Sequence, residues 1–128
     1  MWTPNEVTRK RKPDFKVRYR FYGYEEGGRV QLPSQGYRSD LSYEDEDPKK
    51  DGIHMVWPEF LDESGKVLTD EHQTVEKEGY AFMWIAAFDK RKLFHKEKAK
   101  EGMTCFFMEG SRRVAEAKIT KIIGLKDA

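Results

Sequence analysis

Met103-Thr104-Cys105-Phe106-Phe107-Met108-Glu109-Gly110-Ser111-Arg112-Arg113-Val114, running on to Ile119-Thr120-Lys121-Ile122-Ile123, decides how the chain folds. Two apolar-rich runs flank a short Glu-Gly-Ser connection. Aromatic and β-branched residues favour extended structure, and a short glycine-containing link between two such runs makes an antiparallel hairpin. Working outward, Phe15-Lys16-Val17-Arg18-Tyr19-Arg20-Phe21-Tyr22 alternates with period two. Phe15, Val17, Tyr19 and Phe21 fall on one face, and Lys16, Arg18 and Arg20 on the other. That pattern predicts a strand with one buried face. The aromatic–basic mixture also suits a base-stacking platform, but alternation sends Tyr19 and Phe21 inward, away from the arginines.

Tyr80-Ala81-Phe82-Met83-Trp84-Ile85-Ala86-Ala87-Phe88 is the longest apolar run. Its aromatic and branched content predicts a central strand buried on both faces, with a buried helix as the alternative. Shorter strands are expected at about Tyr37–Tyr43 and at Ile53–Trp57, the latter ended by Pro58. Leu61–Leu68 reads as a turn, and Glu44–Gly52 as an acidic loop. Lys90–Lys100 has no glycine or proline and is the helical candidate. Six or so strands separated by turn signals predict an all-β fold, a closed antiparallel six-stranded barrel with loop insertions.

Two signatures sharpen this expectation. Glu25-Glu26-Gly27-Gly28-Arg29 is followed by Gly36-Tyr37-Arg38, and Glu109-Gly110-Ser111-Arg112 opens the last strand. Together they resemble the barrel that forms the C-terminal domain of elongation factor Tu. There the first pattern follows the opening strand and the second opens the closing strand, with Glu78-Gly79 at the place of a Pro-Gly-Asp turn. The resemblance spans about Phe15 to Gly124. It implies a barrel over 15–124, a basic N-terminal arm over 1–14 and a tail over 125–128, with insertions within 53–75 and between Phe88 and Gly102.

In that family the domain packs on a GTPase domain, contacts the T-stem of aminoacyl-tRNA and touches a nucleotide-exchange factor. By motif, the tRNA-contacting positions fall at Arg29, Gly110 and Asp40, where the family has Gln. A carboxylate at Asp40 would repel a phosphodiester. No Gly-x-x-x-x-Gly-Lys-Ser/Thr loop exists to cradle a nucleotide, so GTP binding is not expected. The resemblance is to a stand-alone relative of one domain.

Composition sets the remaining bounds. The 128 residues suffice for one domain, and 37% of them are charged at a net charge of only +1. Charge is segregated: basic residues crowd 9–20 and 90–100, and acidic residues crowd 40–51. Near-neutrality disfavours a dedicated nucleic-acid binder. A single cysteine, Cys105, permits no intramolecular disulfide, so a cytoplasmic location is expected, and no stretch has the length of a membrane span.

Each candidate has two readings. Arg29, Arg38 and Arg112 are either phosphate contacts or ion-pair partners, of Glu25, Glu26 or Asp40 for the first two and of Glu109 for Arg112. Lys90, Arg91, Lys92 and Lys96 are either a phosphate-facing segment or a solvated face. His54, His72 and His95 show no metal-ligand spacing with Cys105, which reads as a core thiol. The 45–52 loop lacks the glycine and the bidentate glutamate of a calcium loop. No catalytic, metal or cofactor residues are expected. The expected function is a non-enzymatic module that binds a protein or itself, with Trp57 suited to such an interface. The alternative is tRNA or other structured RNA bound through Arg29, Arg38, Gly110 and Lys90–Lys100.

Overall fold

A computed structural model describes all of Met1–Ala128. Its six strands are β1 Phe15–Phe21, β2 Asp40–Tyr43, β3 Val56–Phe60, β4 Glu78–Ile85, β5 Thr104–Glu109 and β6 Arg112–Ile122. All pairings are antiparallel, in the order β2-β5-β6-β1-β4-β3. The helices are short: α1 Asn5–Arg9, α2 Pro48–Asp51 and α3 Lys96–Lys98, the last continuing a π-helical turn at Arg91–His95.

The sheet is mostly as expected, but the barrel does not close. It curls into a half-barrel whose edge strands, β2 and β3, meet at one bridge, Leu41 with His54, held by two reciprocal 2.9 Å backbone hydrogen bonds. The cause lies in β3. Leu61 N–H donates to Tyr80 and Ala86 N–H to Met55, so the odd-numbered residues of this strand face β4. Pro58 therefore turns its nitrogen, which carries no hydrogen, to the free edge. Phe60, the next residue with that orientation, has both backbone groups taken by the Gln35 side-chain amide at 2.8 and 2.9 Å. The four-residue β2, paired along its length with β5, then finds no partner on the β3 side beyond the bridge at Leu41. Pro58 thus sits inside the strand that the sequence has it ending, and β3 runs Val56–Phe60 rather than Ile53–Trp57.

Alternation in β1 holds residue by residue: Phe15, Val17, Tyr19 and Phe21 are buried under the solvated Lys16, Arg18 and Arg20 face. Tyr19 and Phe21 make edge-to-face contacts with each other, and both pack against Phe60 and Phe107. These rings are unavailable for stacking on bases. β4 is an interior strand, buried on both faces at Met83-Trp84-Ile85. β5 and β6 form the hairpin, turning at Gly110, whose φ of 63° favours glycine. Gly28 is required for a different reason: a Cβ there would lie 2.2 Å from the Tyr22 carbonyl oxygen.

Residues 1–14 lie against this sheet through two buried carboxylates. Asp14, at zero exposure, accepts hydrogen bonds from Arg11 (3.0 Å), Arg91 (2.5 Å) and the Ile85 N–H (2.8 Å). Glu59, equally buried, accepts from the Trp2 indole (2.8 Å), the Asn5 N–H at the start of α1 (2.8 Å) and the Trp84 indole (3.0 Å). Truncating one partner of a buried charge network leaves the others uncompensated. Asp14→Ala should therefore cost about 3 kcal/mol or more of unfolding free energy. Urea denaturation of the two proteins checks this, and a loss below about 1 kcal/mol would mean that water replaces the carboxylate freely.

Candidate functional site

The two signatures meet in space at one carboxylate. Glu109 receives Arg29 at 2.5 Å and Arg112 at 3.0 Å, together with the Tyr37 hydroxyl. The Arg29 guanidinium also lies 5.0 Å from the Tyr37 ring centroid. Burial pushes the Glu109 carboxyl up, but the bonds from Tyr37, Arg29 and Arg112 outweigh it and leave it below the ordinary glutamate value. The Glu109–Arg112 pair is as expected. For Arg29 the partner differs from Glu25, Glu26 or Asp40, because Arg20 takes Glu26 and the fold sets Glu109 closer.

Gly110 sits at the tip beside this cluster, while Arg38 and Asp40 leave it. Arg38 stacks over Trp57, and the half-buried Asp40 makes no ion pair; burial raises its carboxyl pKa.

The basic segment after β4 is largely engaged within the molecule. Arg91 pairs with Asp14 and donates to the Gly124 carbonyl at 3.1 Å. Lys96 donates to the main-chain oxygen of Ala128 at 2.8 Å, and Lys98 pairs with Asp45 at 2.6 Å. Lys90 and Lys92 remain exposed, without an ion pair. The Arg91 charge is thus paired with a buried aspartate rather than left facing solvent.

An arginine–aromatic ladder runs along the arm and the β3–β4 edge. Arg38 lies 4.2 Å from the Trp57 ring centroid and Arg9 lies 5.9 Å from it. Arg9 is also 5.7 Å from Trp84, Arg11 is 5.1 Å from Trp84 and 5.6 Å from Phe88, and Arg91 is 5.3 Å from Phe88. Cations and rings alternate: Arg38, Trp57, Arg9, Trp84, Arg11, Phe88, Arg91. Trp57 and Trp84 face each other in the β3–β4 register, which brings two rungs together. One end is neutralised, because Arg11 and Arg91 share Asp14. At the other end Arg9 and Arg38 form no hydrogen bond or ion pair. Burial, and after it the neighbouring guanidinium groups of Arg11 and Arg38, push Arg9 below the ordinary arginine value.

A second constellation lies where the half-barrel edges meet. Glu46 takes His54 Nε2 at 3.0 and 3.1 Å, and the Tyr43 hydroxyl shares a 2.8 Å hydrogen bond with His95 Nδ1. The two imidazoles are edge-to-face with centroids 5.1 Å apart. They open on a pocket of about 260 Å³ lined by Ile53, His54, Met55, Ala87, Lys90, Phe94 and His95. Burial, and then His54, lower the His95 pKa to about 4, so its ring is neutral at physiological pH. Around the pocket, large apolar side chains stay in water: Met55 is 54% exposed, Phe88 65% and Leu93 74%. Sequence spacing gave no hint of this site, because His54 comes from the bridge before β3 and His95 from the end of the π-helical turn after β4.

No group of three or more His, Cys, Asp or Glu side chains is placed to hold a metal ion. Cys105 is fully buried, and burial pushes its thiol up to about 12. No helix is long and apolar enough to cross a membrane. No family model matches this chain, and no curated protein does.

The buried His95 has a consequence for stability. It is neutral in the fold, while in the unfolded chain it binds a proton below pH 6.5, so stability rises with pH across the interval from about 4 to 6.5. Acidification through that interval should remove on the order of 2–3 kcal/mol. Thermal or urea unfolding between pH 7 and 5 should show the slope in the wild type and a flatter one in His95→Gln.

Proposed function

We propose that this chain is a non-enzymatic binding module whose partner is a protein. We further propose that it is a relative of the elongation factor Tu C-terminal domain. The binding face is the apolar surface of Met55, Phe88 and Leu93 beside the His54–His95 pocket, which the half-buried Phe94 lines, and the exposure of those three is the observation that carries the reading. Exposed aromatic and aliphatic side chains gathered beside a pocket are what a protein interface uses as anchors. Lys90 and Lys92 carry unpaired charge on the segment that bears Leu93, so the fitting partner is an apolar segment flanked by acidic residues. Support for the family reading comes from the glycines of the signatures, with Gly27 and Gly110 at positive φ and Gly28 in close backbone approach.

The RNA reading through Arg29, Arg38, Gly110 and Lys90–Lys100 is favoured by one observation, the free charges of Arg38, Lys90 and Lys92. Against it, Arg29, Arg91, Arg112, Lys96 and Lys98 already have partners.

The two readings separate in a pull-down from native lysate with and without nuclease. A protein partner should survive nuclease and be lost from Phe88→Glu and Leu93→Glu variants that still unfold cooperatively. Recovery that vanishes with nuclease, or that falls steeply with salt and with Arg38→Ala, would move the function to RNA.

A further inference from the structure

At the free end of the ladder two guanidinium groups share one indole, and neither is in an ion pair. Arg9 and Arg38 both lie over the Trp57 ring, 5.9 and 4.2 Å from its centroid. Neither makes a hydrogen bond or an ion pair, so every N–H donor on both is unused. The buried Glu59 carboxylate acts on the Arg9 charge through space, but its hydrogen-bonding positions are taken by the Trp2 and Trp84 indoles and the Asn5 N–H. Asp14 is likewise held by Arg11, Arg91 and the Ile85 N–H.

The buried Asp14 and Glu59 carboxylates offset part of the Arg9 charge, but against the four guanidinium groups of the ladder they leave two positive charges in excess. The half-buried position of Arg9 and its contacts with the Trp57 and Trp84 rings hold its guanidinium, while Arg38 lies over Trp57 at the exposed end.

We infer that Arg9 and Arg38, held on Trp57, form a binding site for a phosphomonoester dianion. Paired guanidinium groups match the planar, bidentate geometry of phosphate oxygens. Two of them match the charge of a monoester, close to −2 at neutral pH, better than the single charge of a phosphodiester. The ligand is a free small phosphate ester or a phosphorylated side chain on a polypeptide. The site does not rest on the apolar docking face around Phe88 and Leu93, from which Trp57 and Arg38 are separated by the Trp84 and Arg11 rungs.

The test uses the full chain and the tryptophan fluorescence of the stacked indole, with Trp57→Phe to assign the signal. O-phosphoserine, a peptide carrying phosphoserine, dimethyl phosphate and a single-stranded RNA oligonucleotide are titrated at constant ionic strength and pH 7.5. Phosphoserine should bind about tenfold more tightly than dimethyl phosphate, and Arg38→Gln should lose about tenfold. Arg38 is exposed, so this variant is expected to fold, and Arg9→Lys tests the second cation while keeping its charge. Equal affinity of free and peptide-borne phosphoserine assigns the site to small esters, and tighter peptide binding assigns it to a phosphorylated side chain. Both support it. Equal binding of monoester and diester, no loss in Arg38→Gln, or RNA binding without monoester binding would each overturn it.

Discussion

The Asp14 carboxylate is the constraint on which the rest of the molecule turns. A fully buried carboxylate is tolerated only where its charge and lone pairs are satisfied, and here three donors from three parts of the chain do so. Arg11 brings the N-terminal arm, Ile85 the end of β4, and Arg91 the segment that leads to His95. The backbone of the same residue adds more ties: its N–H donates to Met83, and its carbonyl accepts from Ile123 and Leu125. One residue therefore fixes the arm, the central strand, the basic segment and the C-terminus relative to one another. Both candidate sites inherit their geometry from it.

Glu59 does the same work at the other end of the arm. Its two oxygens take two indole N–H groups and the first backbone N–H of α1, so Trp2, Trp84 and the helix are held at one point. With Glu59 and Asp14 occupied, Arg9 and Arg38 have only aromatic faces to lie on, while Arg11 and Arg91 combine a ring with Asp14. The ladder follows from that shortage of acceptors. Each rung contributes roughly 0.5–1 kcal/mol where partly exposed, which makes docking of the arm a sum of small terms rather than one strong contact.

The parts of this fold legible in the sequence are those governed by neighbours along the chain. Alternation from Phe15 to Phe21 was sufficient for β1, and aromatic content was sufficient to read a strand in Tyr80–Phe88, although β4 ends at Ile85 and Phe88 is exposed rather than buried. The β5–β6 hairpin followed from Glu109-Gly110-Ser111. What escaped depends on partners far apart in sequence. Pro58 lies within β3 because β3 is an edge strand, a property fixed only once β4 and Gln35 are in place. Barrel closure fails for that same reason. The Glu46–His54 and Tyr43–His95 pairs and the Trp57–Trp84 register are tertiary in origin. Asp14 was visible only as a lone acid among basic residues, and nothing local marks it as the centre of a network.

Charge segregation in the sequence also takes on a narrower meaning. A basic block is a binding surface only for the cations that folding leaves without partners. Arg91 is spent on Asp14, Lys98 on Asp45, Arg29 and Arg112 on Glu109, and Arg20 on Glu26 and Glu116. The pairs with exposed members contribute little stability individually, yet each removes a cation from the external field. The residue-by-residue difference leaves Lys90 and Lys92 beside an apolar face, and Arg9 and Arg38 on an indole. These two sets differ in kind. The lysines are mobile, hydrated charges that favour encounter with an acidic rim, whereas the stacked guanidinium groups are oriented donors suited to a defined oxyanion. The blocks at 9–20 and 90–100 look alike in composition, but folding treats them differently: Arg9 and Arg11 of the first and Arg91 of the second lie against aromatic rings, while Lys90 and Lys92 stay in water.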